Sequence, residues 1–147
     1  MVYICAEVTI EDGVMISAGT VFTNDRFPRA TTPNLKELRS SEPDEETRRT
    51  LVREGATIGA GCTIGNDLVI GRWAMVGMGS LVTKSIGDFE LVVGSPAQAI
   101  GYVCRCGHPI ARFARGEAAP DGDLSCSACG LTYRVAAKQI SELNPPR

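Results

Sequence analysis

Cysteine is the residue type with the most evident chemistry in this sequence of 147 residues. Four of its six cysteines form two close pairs in the C-terminal part, Cys104 with Cys106 and Cys126 with Cys129. The second pair, in CSACG, has the spacing of a zinc knuckle, whose glycine allows a tight turn beneath the metal; the first, in CRCG, is tighter. Four thiolates would make a closed tetrahedral site without an open coordination position. The pattern predicts structural Zn²⁺ in a zinc-ribbon-like segment at 101–135.

Two other interpretations of the cysteines stay open. His108, two residues after Cys106, could replace one thiolate, or the thiols could be unmetallated or joined in a disulfide. Six cysteines in a small secreted chain would indicate a disulfide framework, but the N-terminus lacks the basic region and apolar run of a signal peptide. Cys5 and Cys62 stand alone among apolar residues and are predicted to be core residues. We therefore expect a cytoplasmic protein.

A repeat of six residues predicts the scaffold on which the site residues outside the cysteine segment would lie. Apolar residues recur in one register at positions 4, 10, 16 and 22 and again from 52 to 82, and a second, mostly small residue follows each by four positions. This period is neither helical nor that of an ordinary strand. It predicts an all-β fold, a parallel β-helix in which three hexapeptides make one triangular coil and each coil stacks on the next. The β-helix should span 1–100, with an excursion loop at 24–51.

Several segments of the repeat carry a family resemblance. GATIGAGCTIG, GSLVTKSI and LVVGSPAQAIG resemble the hexapeptide-repeat acyltransferases, over about residues 2–106. That resemblance implies a left-handed β-helix, against the usual right-handed crossover. VFTNDRFPRAT resembles the subgroup that N-acetylates UDP- or dTDP-linked 3-amino sugars. The resemblance thus implies acetyl-CoA-dependent N-acetylation of a nucleotide-linked amino sugar for surface polysaccharide such as lipopolysaccharide. It also implies a homotrimer with the cofactor between adjacent prisms.

The single histidine decides between chemistries on such a prism. His108 lies in the cysteine-rich segment outside the repeat, so the three histidine ligands of a trimeric carbonic anhydrase are missing. Acyl transfer to a hydroxyl commonly needs a histidine base, because the alcohol must lose its proton. A neutral amine already has a free lone pair and needs positioning above all. The composition therefore favours N-acylation over O-acylation.

The FTND-x-x-PRA segment supplies the candidate catalytic and substrate-binding residues. Asn24 is predicted to orient the sugar amine or to stabilise the developing oxyanion. Asp25 could accept a proton from the ammonium, or could instead form a salt bridge or cap a turn. Arg26 and Arg29 could pair with a sugar carboxylate or a pyrophosphate, or could be ordinary surface arginines.

The resemblance places the acetyl-CoA contacts at coil corners. The predicted cofactor-binding residues are small or lie at such corners: Gly59, Ala60, Gly77 and Met78, with Thr83 and Lys84 towards the CoA phosphates. Each of these glycines could equally serve only as a coil turn.

The segments outside the repeat carry further expectations. Ser41 and Pro43 indicate the start of a short helix that continues to about Leu51, and the segment after Ile86 should cover the last coil. Residues 136–147 are expected to be a frayed tail. Met1 falls directly before a coil already in register, whereas the resemblance implies further N-terminal coils.

Charge and hydropathy exclude other classes of function. The net charge is −2 and the pI about 5.4, without the basic excess of a nucleic-acid-binding protein. No apolar stretch approaches the ~20 residues that span a bilayer. The alternative to an enzyme is a non-catalytic or truncated β-helix that acts as a scaffold or interaction protein with a zinc-binding tail.

Overall fold

The computed structural model describes residues 1–146, which form strands and turns and contain no helix. The first nine strands build the β-helix: β1 Val8–Ile10, β2 Met15–Ile16, β3 Val21–Phe22, β4 Thr50–Val52, β5 Thr57–Ile58, β6 Thr63–Ile64, β7 Val69–Ile70, β8 Met75–Val76 and β9 Leu81–Val82. The other six follow it: β10 Glu90–Gly94, β11 Ala97–Val103, β12 Pro109–Arg112, β13 Gly122–Ser125, β14 Thr132–Ala136 and β15 Gln139–Glu142. The expectation of an all-β chain is confirmed.

Three parallel ladders form the faces of a triangular prism. Their orders are β1-β4-β7, β2-β5-β8 and β3-β6-β9, so each face takes one strand from each coil. Leu51 pairs with Val69, 18 residues later, which is one coil of three hexapeptides. Val8 pairs with Thr50, 42 residues later, so the excursion adds 24 residues to a coil without changing the register.

The apolar residues of the repeat fill the prism. Before the excursion, Phe22 is fully buried. After it, the fully buried positions are six residues apart: Val52, Ile58, Ile64, Ile70, Val76 and Val82. Ala56, Cys62 and Ala74 occupy the smaller inward positions between them. Upstream of the excursion the same register is less buried: Ile4 and Ile10 stay 46% and 39% exposed, although Phe22 is buried.

The excursion leaves the prism at a corner and returns to the same corner. Asp25 pairs with Thr47 in an antiparallel bridge, and the Arg48 N–H donates to the Asn24 carbonyl at 2.7 Å. The predicted helix from Ser41 to Leu51 is wrong. Side chains in this segment accept hydrogen bonds from nearby backbone N–H groups, as Asp44 does from Glu46, which competes with a helix. The end of the segment, Thr50–Val52, pairs with β1 and β7 instead.

A second layer closes the far end of the β-helix. β10 pairs in parallel with β8 and then turns at Gly94-Ser95-Pro96 into an antiparallel sheet with β11 and β12, so this segment covers the last coil as expected. β13, β14 and β15 form a separate antiparallel sheet. The expected fraying is wrong for 136–146, because Gln139–Glu142 pairs with β14 and Ile140 packs against Tyr133 and Val135; residue 147 lies outside the described residues. The expected boundary at residue 100 falls within β11.

No described segment offers a helix that could cross a membrane.

Candidate functional site

One edge of the prism holds four of the predicted site residues: Asn24, Asp25, Thr83 and Lys84. Asn24, Asn66 and Lys84 occupy the second position after β3, β6 and β9, and the register of these strands stacks them in one column. The structure thus brings Lys84 and its neighbour Thr83 to the corner from which the excursion loop departs. Asn66, which the sequence analysis missed, links the column to the loop by donating from Nδ2 to the Asp25 carbonyl at 3.1 Å.

Asn24 and Asp25 have different hydrogen-bonding partners at this corner. Asn24 is half-buried, and its Nδ2 donates to the Ala6 carbonyl at 3.1 Å. Asp25 Oδ1 accepts from the Phe27 N–H at 3.0 Å, and Oδ2 lies 3.6 Å from Nη1 of Arg39. These are the turn-cap and salt-bridge contacts that the sequence left open as the alternative for Asp25.

The arginines of the loop separate into two groups. Arg26 lies over the Phe27 ring at 5.1 Å and is exposed. Arg29 lines a cavity of about 510 Å³ inside the excursion, together with Arg39, Thr32 and neighbouring loop residues. Arg39 is paired there with Asp25 and Asp44, so Arg29 is the guanidinium of this cavity that could meet an anionic ligand. The sequence analysis missed Arg39, because it belongs to no motif and is one of many charged residues in this segment.

The second predicted group lies at the neighbouring edge, across the β3-β6-β9 face. Gly59 and Ala60 stand one coil from Gly77 and Met78, and Gly59 N–H donates to the Val76 carbonyl at 2.8 Å. A Cβ at Gly59 would come within 2.7 Å of the Met78 backbone nitrogen. Gly59 therefore has a packing requirement of its own, which is the coil-turn role considered from the sequence.

The four clustered cysteines meet at the tips of two hairpins. Cys104 and Cys106 lie between β11 and β12, Cys126 and Cys129 lie between β13 and β14, and their four Sγ atoms are all within 4.8 Å of one another. Across the hairpins, Cys104 lies 3.4 Å from Cys129 and Cys106 lies 3.6 Å from Cys126. A disulfide would need about 2.05 Å, whereas a zinc site with sulfur at ~2.3 Å has tetrahedral edges of ~3.8 Å. The spacing fits a metal.

The surroundings of the cluster act on its thiols in opposite directions. Burial would raise the pKa of the Cys126 thiol, but the backbone N–H groups of Cys129 and Ala128 and the neighbouring thiols lower it to about 6. The backbone of Leu131 lowers the pKa of Cys129, while the thiol of Cys104, burial and the other thiols outweigh it and raise this pKa to about 12. Without a bound cation, the negative charge of one thiolate in the cluster opposes ionisation of the neighbouring thiol.

Two further side chains, Tyr133 and His108, contact sulfurs of the cluster. The Tyr133 hydroxyl donates to Cys104 Sγ at 3.0 Å and is fully buried. The sequence could have indicated it, because Leu131, Tyr133 and Val135 alternate as inward positions of a strand. His108 Nδ1 lies 3.4 Å from Cys106 Sγ, next to a cluster that already has four sulfurs.

The stacked hexapeptide coils define a three-sided parallel β-helix. Comparison with known proteins shows which proteins this β-helix is similar to. No family model matches the chain. A dTDP-3-amino-3,6-dideoxy-alpha-D-galactopyranose 3-N-acetyltransferase from Aneurinibacillus thermoaerophilus is 39% identical over 99 residues, 67% of this chain and 47% of that protein. The chain spans about half the length of this curated relative.

Solved structures share the same fold. AntD, an N-acyltransferase from Bacillus cereus in complex with dTDP and 3-hydroxybutyryl-CoA, superposes with a TM-score of 0.53 at 25% identity, over 67% of this chain and 53% of that one. Serine acetyltransferase from Brucella abortus in complex with coenzyme A gives 0.51 at 26% identity, over 69% and 34%. The β-helix of this chain is that of the hexapeptide-repeat acyltransferases.

Proposed function

We propose that the protein is an acetyl-CoA-dependent N-acetyltransferase that acts on the amine of a nucleotide-linked amino sugar. The observation that carries the proposal is the 39% identity, over 99 residues, to an enzyme named for acetylating a dTDP-3-amino sugar. AntD, crystallised with dTDP and an acyl-CoA, supports the same pair of ligands. We propose a UDP- or dTDP-linked 3-amino sugar as the acceptor and surface polysaccharide biosynthesis, in the cytoplasm, as its use.

The chemistry available at the prism supports an amine acceptor. The sequence has one histidine, and it lies beside Cys106 rather than on the coils. An amine in its neutral form can attack the thioester carbonyl directly, after which the thiolate of CoA leaves and takes up the proton lost by nitrogen. The protein then contributes chiefly by holding the two substrates in a reactive orientation.

Asn24 is the residue we propose for orienting the amine. One side-chain N–H is used on the Ala6 carbonyl, which fixes the direction of the amide. Oδ1 accepts no hydrogen bond from residues 1–146 and can accept one from a substrate N–H. This contact would aim the nitrogen lone pair away from the amide and towards the acyl group. Of the two roles predicted from the sequence, amine orientation therefore fits better than binding of the oxyanion.

We propose that Asp25 holds the base of the loop. Because its two oxygens are engaged by the Phe27 N–H and by Arg39, it is less suited to take the ammonium proton. Arg29 at the loop cavity and the exposed Arg26 provide positive charge for a pyrophosphate or a sugar carboxylate, while Arg39 is paired with Asp25 and Asp44.

For acetyl-CoA we propose the edge formed by Gly59, Ala60, Gly77 and Met78, with Thr83 and Lys84 towards the phosphates. Met78 is 81% exposed in the single chain. Exposed apolar side chains on the faces, such as Met15 and Val69, support a homotrimer in which neighbouring prisms cover them. We also propose that the coils are left-handed, as the family resemblance implies, and that the four clustered cysteines hold a structural Zn²⁺.

The test is the mass of the product. The protein is incubated with acetyl-CoA and a panel of UDP- and dTDP-linked 3-amino and 4-amino sugars, and each sugar is analysed by mass spectrometry. We expect one sugar to gain an acetyl group in place of a hydrogen. A folded trimer that acetylates none of them would contradict the proposal and favour a scaffold role.

Asn24→Ala tests the site assignment. Loss of the orienting contact should lower kcat by about a hundredfold, while the trimer stays intact by size-exclusion chromatography with light scattering. Gln139→Ala, which removes an exposed amide in β15, outside the loop, is the control. Equal turnover in the two variants would remove Asn24 from the catalytic site.

A further inference from the structure

The four-cysteine cluster joins two sheets that share no strand pairing. Cys104 and Cys106 follow β11, which belongs to the sheet that continues a face of the β-helix through β10 and β8. Cys126 and Cys129 belong to the β13-β14-β15 sheet. An ion bound by all four sulfurs would therefore cross-link the β-helix to the C-terminal sheet.

One connection from this cluster to the last coils runs through Arg105. Arg105 stands between Cys104 and Cys106, so the two ligands fix its backbone, and its N–H donates to the Tyr133 hydroxyl at 3.1 Å. Its guanidinium lies 4.8 Å above the ring of Trp73 and makes a bidentate contact with Glu142, with Nη2 at 2.8 Å from Oε2. Arg105 and Glu142 are 22% and 11% exposed, so the pair is largely shielded from water.

Trp73 receives this contact at a corner of the prism. Its backbone N–H donates to the Glu54 carbonyl at 2.9 Å, and its ring lies against Gly55. Beside it, Phe89 packs edge-on against Tyr133, with ring centroids 5.2 Å apart. The same buried cluster contains Cys104 and Cys126, so the metal ligands and the end of the β-helix share one small core.

We propose that Zn²⁺, bound by Cys104, Cys106, Cys126 and Cys129, clamps the C-terminal sheet onto the end of the β-helix through the contact of Arg105 with Trp73. The site is closed, with four sulfurs for a tetrahedral ion, so its role is structural. The two apolar clusters that join the C-terminal sheet to the β-helix are small, and segments of this size commonly depend on a metal for their fold. The proposal is independent of acetyl transfer, since it requires neither substrate.

Trp73 is the sole tryptophan of the sequence, which makes the clamp directly observable. Zinc content is measured by elemental mass spectrometry. A zinc chelator is then added while the fluorescence emission of Trp73 is recorded. We expect about one zinc per chain, a red shift of the emission as the metal leaves and water reaches the ring, and recovery on adding Zn²⁺ but not Mg²⁺. Cys129→Ser should resemble the metal-free protein, whereas Cys5→Ala, a thiol outside the cluster, should resemble the wild type.

A second measurement covers the case in which Cys129→Ser does not fold. Wild-type protein refolded with Co²⁺ should show the visible absorption bands of a tetrahedral thiolate site. Absence of these bands together with absence of zinc would overturn the metal site. Zinc that leaves without any change in the emission of Trp73 would overturn the clamp.

Discussion

Gly55→Ala is the change whose effect the structure determines most directly. Gly55 has a φ of +69°, and a Cβ built there would lie 2.4, 2.5 and 2.6 Å from three ring carbons of Trp73. Gly61 is the matched control, because its φ is +70° and its Cβ would meet nothing within 4 Å. The two variants share the backbone penalty and differ in the steric conflict.

The magnitudes follow from these two contributions. An L-residue in the left-handed region costs about 1–2 kcal/mol, which is the whole effect expected for Gly61→Ala. At Gly55 the new methyl must also push Trp73 aside, and overpacking of this kind costs about 1–3 kcal/mol. Gly55→Ala should therefore lower the free energy of unfolding by about 2–5 kcal/mol, a large part of the 5–15 kcal/mol typical of a domain.

Urea denaturation measures the difference. Both variants and the wild type are unfolded at equal protein concentration with saturating Zn²⁺, because assembly and metal binding each contribute to stability. Far-UV circular dichroism follows the strands, and the emission of Trp73 follows its corner. Equal losses of stability in Gly55→Ala and Gly61→Ala would refute the packing of Trp73 against Gly55 and weaken the clamp that depends on it.

Two further predictions concern the ligands. Tyr133→Phe removes the hydrogen bond to Cys104 Sγ and keeps the ring, so competition with a chromogenic chelator should give a zinc affinity about 10–100-fold lower; an unchanged affinity would contradict a role for this hydroxyl. Lys84→Met should raise the KM for acetyl-CoA severalfold and reduce its dependence on salt, with kcat retained, because a single cation near a phosphate acts through charge. Lys138→Met, at the β14–β15 turn, is its control, and an equal effect of both changes would count against a specific contact of Lys84.

The prism could be predicted from the sequence because its constraint is local and repeated. A position that recurs every six residues must meet its counterpart one coil away, and Ile58, Ile64 and Val76 are all buried as this requires. Ile4 and Ile10 have the same spacing and remain exposed, so the spacing alone does not decide burial.

The site could be predicted only in part, because several of its contacts depend on tertiary structure. The cysteine spacing indicated which sulfurs would meet, and they do meet. Asn66 could have been found from the register, as the residue one coil before Lys84. Arg39 could not, since its position depends on how a loop without a repeat folds back on Asp25.

The contact of Arg105 with Trp73 lies beyond sequence reasoning for the same reason. The two residues belong to segments with unrelated patterns, a coil corner and a cysteine turn. Likewise, the predicted helix after Ser41 rested on local capping signals. Pairing of Thr50–Val52 between two coils outweighed these signals, because strand positions in the prism bury apolar surface and an exposed loop helix does not.

The return of the excursion to its starting corner has a consequence for how such a protein can change. The hydrogen bond of 2.7 Å between Arg48 and Asn24 closes the excursion at its base, so the strands on either side are paired whatever the loop contains. Loop length has little effect on the free energy of closing such a loop, roughly 0.6 kcal/mol for each doubling. Residues 26–46 can thus be lengthened, shortened or exchanged during evolution while the coils keep their register. The fold thus separates a loop whose length and sequence can change from coils whose register does not depend on that loop.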